Sequence, residues 1–521
     1  MHTIKTIIAA GCLLALSACT SNFEDTNTNP NKTTVGEIKA SGMFEPLLYD
    51  GVNNWQNYTW YWNNELIQFT AFTGGTTRQE HRYFISDGNW QSVWNFYAKY
   101  ANNAMHMYDL SIEQEDQSLE AIALTFKVLF MSNLTDMFGD IPYEEAFLAR
   151  KGGTTKPKFD SQQSVYEQMF ADLETANEIY ATNPIFTKPT LDGMYGGDMT
   201  KWRKFNNSLY LRLLCRINGR SVMNAGTKMA EILNNSSLYP IFTANDDNAT
   251  VVFSGIDPYR NEFADTNEGT FTSSGRKLTQ QFIKMTVITT NGEQTYQDPR
   301  LGIWGKKNTS TTSNPANKWI GTVAGCTEEE RSTVDKGTSW LNTAVFCRAA
   351  APGTFMDYAE VQFIFAEAAL KGYISGGESQ AKIYYEAAVK ASMEKWAAVG
   401  SYSETPVTIT TEDIATFLQS ALASWDAAVN KEELIANQKF LALFWIGMEA
   451  YHEYRRTGYP ELTIGGGTVY NDYILPTRFA YPTTTMATNG DNAQIALDRM
   501  GGDNDMKTPV WWSKQAIEEG K

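Results

Sequence analysis

The sequence predicts a mainly α-helical protein in which tetratricopeptide-like helix pairs form a scaffold carrying long irregular loops and a few short strands. Three observations predict it. Apolar residues recur at three and four spacing in segment after segment of the 521-residue chain, which is the period of an amphipathic helix. In the pair Tyr358 to Trp396, Ala366, Ala369 and Leu370 end one apolar face, Gly372 to Gly377 supply the turn, and Tyr384, Ala388 and Ala391 begin the next face. Its length, about 34 residues, and its small facing residues suit a tetratricopeptide-type stack. Periodicity then fails between about 236 and 274 and between 290 and 355, where Asn, Thr, Gly and Ser dominate, and loops that long more often serve function than idle.

The helical segments expected in order are 36–50, 55–72, 89–110, 116–137, 161–180, 199–218, 221–234, 275–288, 357–372, 379–397, 411–424 and 431–456. Gly139 to Pro142 ends one helix, because Gly tolerates positive φ and Pro cannot continue the ladder. Asp160 is expected to cap the next, and Ser274 in the S-x-x-K string to cap the segment after it. Arg455 and Arg456 close a long helix where the dipole favours cations, before Gly458 and Pro460 stop it. No Pro or Ser linker separates the helical blocks, so residues 35–521 are read as one large domain.

The N-terminus sets the compartment. Met1 to Ala18 holds one charge, Lys5, and an apolar run from Ile7 to Leu16, the length of an export-signal core and too short to span a bilayer. The run ends in L-S-A-C, which resembles a bacterial lipobox whose Cys, here Cys19, is acylated after residues 1–18 are removed. Residues 19–34 then form the acylated Cys and a polar, flexible leader. No other apolar stretch is read as reaching the roughly 18 residues of a membrane span.

Composition narrows the function. A formal charge of -16 and a pI near 4.9 disfavour nucleic acid as a partner. The aromatic fraction of 13% either packs helix interfaces or offers flat faces to a ligand. His2, His81, His106 and His452 form no H-E-x-x-H pair, no C-x-x-C occurs, and Asn245 to Asn248 lacks calcium-loop spacing, so neither a metal nor a cofactor is expected. P-loop, G-x-G-x-x-G and G-x-S-x-G strings are absent, and nothing local argues for catalysis. Outside the signal and lipobox the cysteines are Cys215, Cys326 and Cys347; Cys215 sits in an apolar helix pattern, and Cys326 with Cys347 is a candidate disulfide that sequence alone leaves open.

Several strings then stand together. T-D-M-F-G-D-I-P-Y-E-E-A (135–146), K-P-K-F-D-S-Q-Q-S-V-Y-E-Q-M-F-A-D-L-E-T-A (156–176), G-G-D-M-T-K-W-R-K-F-N-N-S-L-Y-L-R (196–212), D-P-R-L (298–301), Y-A-E-V-Q-F-I-F-A-E-A-A-L-K-G (358–372), E-Y-R-R-T-G-Y-P-E-L (453–462) and L-P-T-R-F-A-Y-P (475–482) closely resemble the SusD/RagB family of Bacteroidetes lipoproteins. The resemblance implies a nutrient-binding lipoprotein of the cell outer membrane, facing outward, that captures an oligosaccharide and delivers it to a SusC-like TonB-dependent transporter. A peptide ligand is the alternative, and a surface glycan-degrading enzyme is a third reading.

Binding in such proteins is expected on loops, where aromatic faces and amide, carboxylate or guanidinium groups combine. In W-Q-N-Y-T-W-Y-W (55–62), Trp55, Tyr58 and Trp62 share a helical face with Leu66 and Phe69 and are expected in the core. Trp60 and Tyr61 point elsewhere and are candidate ligand residues, with Arg78, His81 and Tyr83 from the following loop. The second candidate set is Tyr296, Trp304, Trp319 and Trp340 in the irregular block. A weaker third segment is 257–268.

Overall fold

The computed structural model describes residues 38–73, 79–264, 266, 271, 276–309, 315–334 and 337–521, and it is mainly helical. Cys19, the signal and the leader lie outside the described residues, as do Arg78 and Ser274. The scaffold is a succession of helices, Asp87–Glu113, Gln117–Phe138, Gln162–Ala181 and Met199–Arg216, each packed on the one before. Met199–Arg216 packs on Tyr358–Leu370, which pairs with Gly377–Gly400 and also meets Lys431–Ala442.

Local chemistry explains the boundaries. Gln117–Phe138 starts where Asp116 accepts a hydrogen bond from the Leu119 amide, and it stops at Gly139, whose φ of 86° a side chain resists. This helix corrects the reading that no second stretch is apolar enough to cross a membrane. It passes that test by length and hydropathy, yet 94% of its apolar window is buried inside the fold, so the neighbouring helices supply its apolar surroundings. Ser161, and not Asp160, caps Gln162–Ala181. Asp160 instead accepts hydrogen bonds from the Tyr143 and Glu144 amides, both at 2.9 Å, and so ties down the turn after Pro142.

The expected pair is present. Ala366, Ala369 and Ala388 are fully buried between Tyr358–Leu370 and Gly377–Gly400, and Gly372 takes a φ of 73° in the turn. Charged side chains knit the scaffold at its centre. Arg212 pairs with Glu360 at 2.6 Å, and Arg216 bridges Asp136 and Glu449. The Trp512 indole donates to Asp136 at 2.7 Å, which fastens the C-terminal segment to the same cluster. Removing one partner would strand a buried charge, so the cluster holds four helices and the C-terminal segment in one arrangement.

Several expected helices are divided, among them 221–234, which splits at Asn224 into a 3-10 turn Ser221–Met223 and a helix Ala225–Asn234. The segment 55–72 becomes a helix Gly51–Tyr58, a π-helical turn Thr59–Asn63, a short helix Asn64–Leu66 and a strand Thr70–Phe72. The segment 275–288 becomes a strand Arg276–Leu278, a helix Gln280–Thr286 capped by Thr279, and a strand Val287–Thr290. The segment 431–456 breaks after Ala442, where Trp445 and Gly447 take positive φ, before Glu449–Thr457. The irregular block contributes Trp340–Leu341 and Gly305–Lys306 to a small antiparallel sheet in the order Thr70–Phe72, Arg276–Leu278, Trp340–Leu341, Gly305–Lys306, with Phe72 opposite Arg276 and Lys277 opposite Trp340.

Candidate functional site

The first candidate segment forms the floor of an open polar cleft of about 610 Å³. A π-helical turn lies at its centre. The turn Thr59–Asn63 carries Trp60, Tyr61 and Trp62, and π-helical turns of this kind are frequent at functional sites. Trp62 enters the core as expected, with Trp55 and Tyr58. Tyr61 stays half-buried and lines the cleft, its ring 5.2 Å from Trp60 and 5.6 Å from Trp62, so the phenol is clamped between two indoles.

Trp60 requires a correction. It is 8% exposed, with its ring stacked on Phe271 at 5.7 Å and an interplanar angle of 12°. The Arg276 guanidinium lies 3.8 Å from its ring centroid and donates through Nε to the Trp60 carbonyl at 3.1 Å. Trp60 supports the floor and offers no open face. Beneath it, Glu65 accepts from the Thr70 hydroxyl at 2.6 Å and from the Phe72 amide at 2.7 Å, with Arg276 3.5 Å away. Burial pushes the Glu65 carboxyl up to about 7, against the opposing pull of Arg276 and Thr70.

Around Tyr61 the lining is polar. Asn54 and Asn57 come from the helix Gly51–Tyr58, Glu80 from the short helical turn Glu80–Arg82, and Asn89 and Ser92 from the start of Asp87–Glu113. Asn57 and Asn89 make no side-chain hydrogen bond among the described residues and present amide donors and acceptors to the cleft. An aromatic face ringed by amides, a hydroxyl and a carboxylate matches the two surfaces of a sugar, C–H faces and hydroxyl edges.

His81 and Tyr83 are corrected as well. His81 is buried and accepts from the Gly325 amide through Nδ1 at 3.0 Å, and burial, reinforced by Arg82, pushes its pKa down to about 3, so it is neutral. Tyr83 takes a φ of 61° and turns its ring into the core. Both anchor the loop and do not face the cleft.

The second candidate set separates into two kinds. Trp304 is fully buried against Phe282, Trp396 and Phe444 and has no ligand-facing surface. Tyr296 and Trp319 line an open groove of about 520 Å³ with Gln294 and Lys318. Trp319 requires the same correction as Trp60: it is 4% exposed, its indole donates to the Gln297 side chain at 2.8 Å, and its backbone exchanges hydrogen bonds with the Gln294 amide at 2.6 and 3.0 Å, so it builds the groove wall and offers no open face. Burial, with Asp298 nearby, pushes the Tyr296 phenol up to about 12, so it remains a neutral donor. The Trp340 ring is half-buried beneath the Lys277 ammonium, 5.2 Å from its centroid. In the small sheet Trp340–Leu341 pairs with Arg276–Leu278, which pairs in turn with Thr70–Phe72.

Cys326 and Cys347 are not joined, and both are thiols. Cys326 lies in the turn whose Gly325 carbonyl accepts from the Gly467 amide, whereas Cys347 ends the helix Thr343–Phe346, which packs on Trp445. The two turns belong to different packing environments. Among the described residues no cluster of three or more His, Cys, Asp or Glu is placed to hold a metal ion.

Residues 30–482 match the family model described as starch-binding associating with outer membrane, of the SusD-like type. The chain belongs to the SusD-like family. Solved structures agree in fold: a chitin-binding protein at 25% identity and a TM-score of 0.74 covers 91% of this chain and 100% of its own. A SusD homologue from Bacteroides fragilis at 24% identity gives the same TM-score and the same coverage of both chains. A chitin-binding SusD homologue from Flavobacterium johnsoniae, at 23% identity and a TM-score of 0.71, covers 91% of this chain and 98% of its own. No curated protein matches the chain.

The family is one of outer-membrane-associated nutrient-binding proteins, binders rather than enzymes, and this SusD-like chain shares its helical architecture. Sequence reasoning had placed Tyr61 among the candidates but missed Asn54, Asn57, Glu80 and Asn89, because polar residues on helix ends read as ordinary solvated surface. It also missed the hairpin that carries Tyr296. The signal was present: Asn291-Gly292, both at positive φ, joins Val287–Thr290 to Glu293–Gln297.

Proposed function

We propose that this SusD-like protein captures oligosaccharide at the cell surface through the Tyr61 cleft and passes it to a SusC-like TonB-dependent transporter, without catalysis. The single supporting observation is the cleft itself, in which the half-buried Tyr61 ring lies among polar groups that include the Asn57 and Asn89 amides, neither with a side-chain hydrogen bond among the described residues. The groove beside Tyr296, Gln294 and Lys318 is a second contact surface for the same ligand class. In this reading residues 1–18 are removed, Cys19 carries the lipid, residues 19–34 are the leader and residues 35–521 fold as one domain. A flexible leader lets the binding body move over the transporter while staying attached.

Affinity then comes from short-range stacking and directional hydrogen bonds, because a neutral sugar feels little of the chain's net negative charge. The test is a glycan and peptide array probed with the lipid-free protein and with Tyr61→Ala plus Asn57→Ala. Binding of a glycan class that the double variant loses by tenfold or more, and that changes little with salt, supports the reading. Binding confined to charged peptides would replace it. For the anchor, Cys19→Ala should move the protein from the membrane to the soluble fraction.

A further inference from the structure

A second hollow shares no lining residue with the Tyr61 cleft. It encloses about 360 Å³ between the end of the helix Glu449–Thr457, residues 474–477 and the short helix Lys514–Glu518. Arg455 lines it and is only 6% exposed. In the sequence this arginine reads as a helix-ending cation, but its contacts leave it without a counter-charge. Its Nη1 donates to the Thr477 carbonyl at 2.6 Å, its Nη2 donates to His452 Nδ1 at 2.6 Å, and its Nε has no acceptor. His452 accepts as a neutral ring, because burial, reinforced by Arg216 and Arg455, holds its pKa far below the usual range.

The other buried arginines are compensated. Among the described residues Arg82, Arg212, Arg216, Arg276 and Arg300 each pair with a carboxylate. Arg478 has no such partner but donates to the Phe138, Phe479 and Asp503 carbonyls and to the Asn504 side chain. Arg456, the next residue in the chain, pairs with both Glu367 and Glu453. Arg455 makes no ion pair among the described residues. Asp136, the carboxylate that acts on it from a distance, is already engaged by Arg216, Tyr166 and Trp512. A buried guanidinium with fewer acceptors than donors costs free energy that a bound anion recovers.

The remaining lining narrows the kind of anion. Lys514 adds a second cation, half-exposed, with Glu518 no closer than 3.9 Å. Ile464, Ile474 and Leu475 add apolar surface. A planar carboxylate suits a guanidinium, and apolar walls call for an apolar body behind the charge. The volume lies at the small end of the roughly 300–1,000 Å³ typical of organic-ligand pockets, which suits a compact molecule over a polymer.

We propose that this hollow binds a small organic acid, its carboxylate held by Arg455 and Lys514 and its apolar body lying against Ile464, Ile474 and Leu475. The site is independent of the glycan-binding reading, since the two lining sets do not overlap. It differs from the cleft in its response to ions: added salt screens the attraction between an anion and the half-exposed Lys514.

The experiment titrates lipid-free protein with phenylacetate and hexanoate, with the matching alcohols phenylethanol and hexanol, and with acetate and inorganic phosphate, following heat release and thermal midpoint. Three variants accompany wild type. Ile474→Trp fills the hollow and leaves Arg455 in place, Arg455→Gln removes the buried charge, and Lys514→Gln, at a half-exposed position, carries the charge test if the Arg455 variant does not fold. Wild type should bind the two apolar acids with a Kd of about 1 mM or tighter and gain thermal midpoint. The alcohols, acetate and phosphate should bind at least tenfold more weakly, and salt should weaken the acids. Ile474→Trp should abolish acid binding, Lys514→Gln should weaken it threefold or more, and glycan binding should be the same in all folded variants. Alcohols that match the acids, acetate or phosphate that match phenylacetate, full acid binding by Ile474→Trp, or no response of wild type to either acid would each overturn the proposal, and none of these results bears on the cleft.

Discussion

Arg276 lies against Trp60 with its guanidinium carbon 3.8 Å from the indole centroid, and its neighbour Glu65 is fully buried beneath the same ring. This stack lies behind the turn that carries Tyr61, and Arg276 joins it to a titrating carboxyl. A carboxyl raised from 4.5 to about 7 holds its proton in the folded state over a range where the unfolded chain has released it. Folding stability therefore falls as pH rises through that window.

Glu65→Gln should remove this decline. Relative to wild type, the variant's unfolding free energy should rise by about 3 kcal/mol between pH 4.5 and pH 7.5. Urea titrations at the two pH values measure it, and parallel behaviour of the two proteins would place the titrating group elsewhere.

Trp304 and Tyr61 should respond in opposite ways. Trp304→Ala removes a fully buried indole and should cost about 3 to 5 kcal/mol of stability. Tyr61→Ala should shift the thermal midpoint little and weaken glycan binding instead. Calorimetry paired with binding titration separates the two, and a stable Trp304→Ala protein with weakened binding would reverse the assignment.

Ala366 packs where Tyr358–Leu370 faces Gly377–Gly400. Ala366→Asp puts an unpaired charge into that contact and should cost about 3 kcal/mol or more. Ala366→Ser, a smaller polar change, should cost less, and an unaltered denaturation midpoint in the Asp variant would mean that the face is open to water.

The thiols give the simplest check. In denaturant without reductant, Cys215, Cys326 and Cys347 should all be alkylated, and reductant should leave the native thermal midpoint unchanged. A cross-linked peptide joining Cys326 to Cys347 in a non-reducing digest would contradict the structure.

The helical scaffold was legible in the sequence because its signals are local. Three and four spacing, the small residues at Ala366 and Ala388 and the Gly372 turn each act within a few residues, and burial of one face follows from that period. The strings at 135–146 and 358–372 named the family for the same reason, since they encode caps, turns and a core that any member must build. The N-cap at Ser161 differs from the expected Asp160 by one residue, because both can accept the same amides and only the path of the Pro142 turn chooses between them.

The site depended on contacts that sequence spacing does not carry. Trp60 and Tyr61 are neighbours with equal claims to a ligand, and the π-helical turn together with Arg276, 216 positions away, buries one and leaves the other in the cleft. Trp304, Trp319 and Trp340 looked alike in an irregular block, yet one is core, one is buried in a groove wall and one lies under a lysine. Phe84 meets Tyr470 only because the fold returns the chain to the loop at Glu80–Arg82 after nearly 400 residues. By itself the sequence determined the helical architecture and the family; tertiary structure decided which aromatic rings meet solvent, because exposure depends on what packs against a side chain from distant parts of the chain.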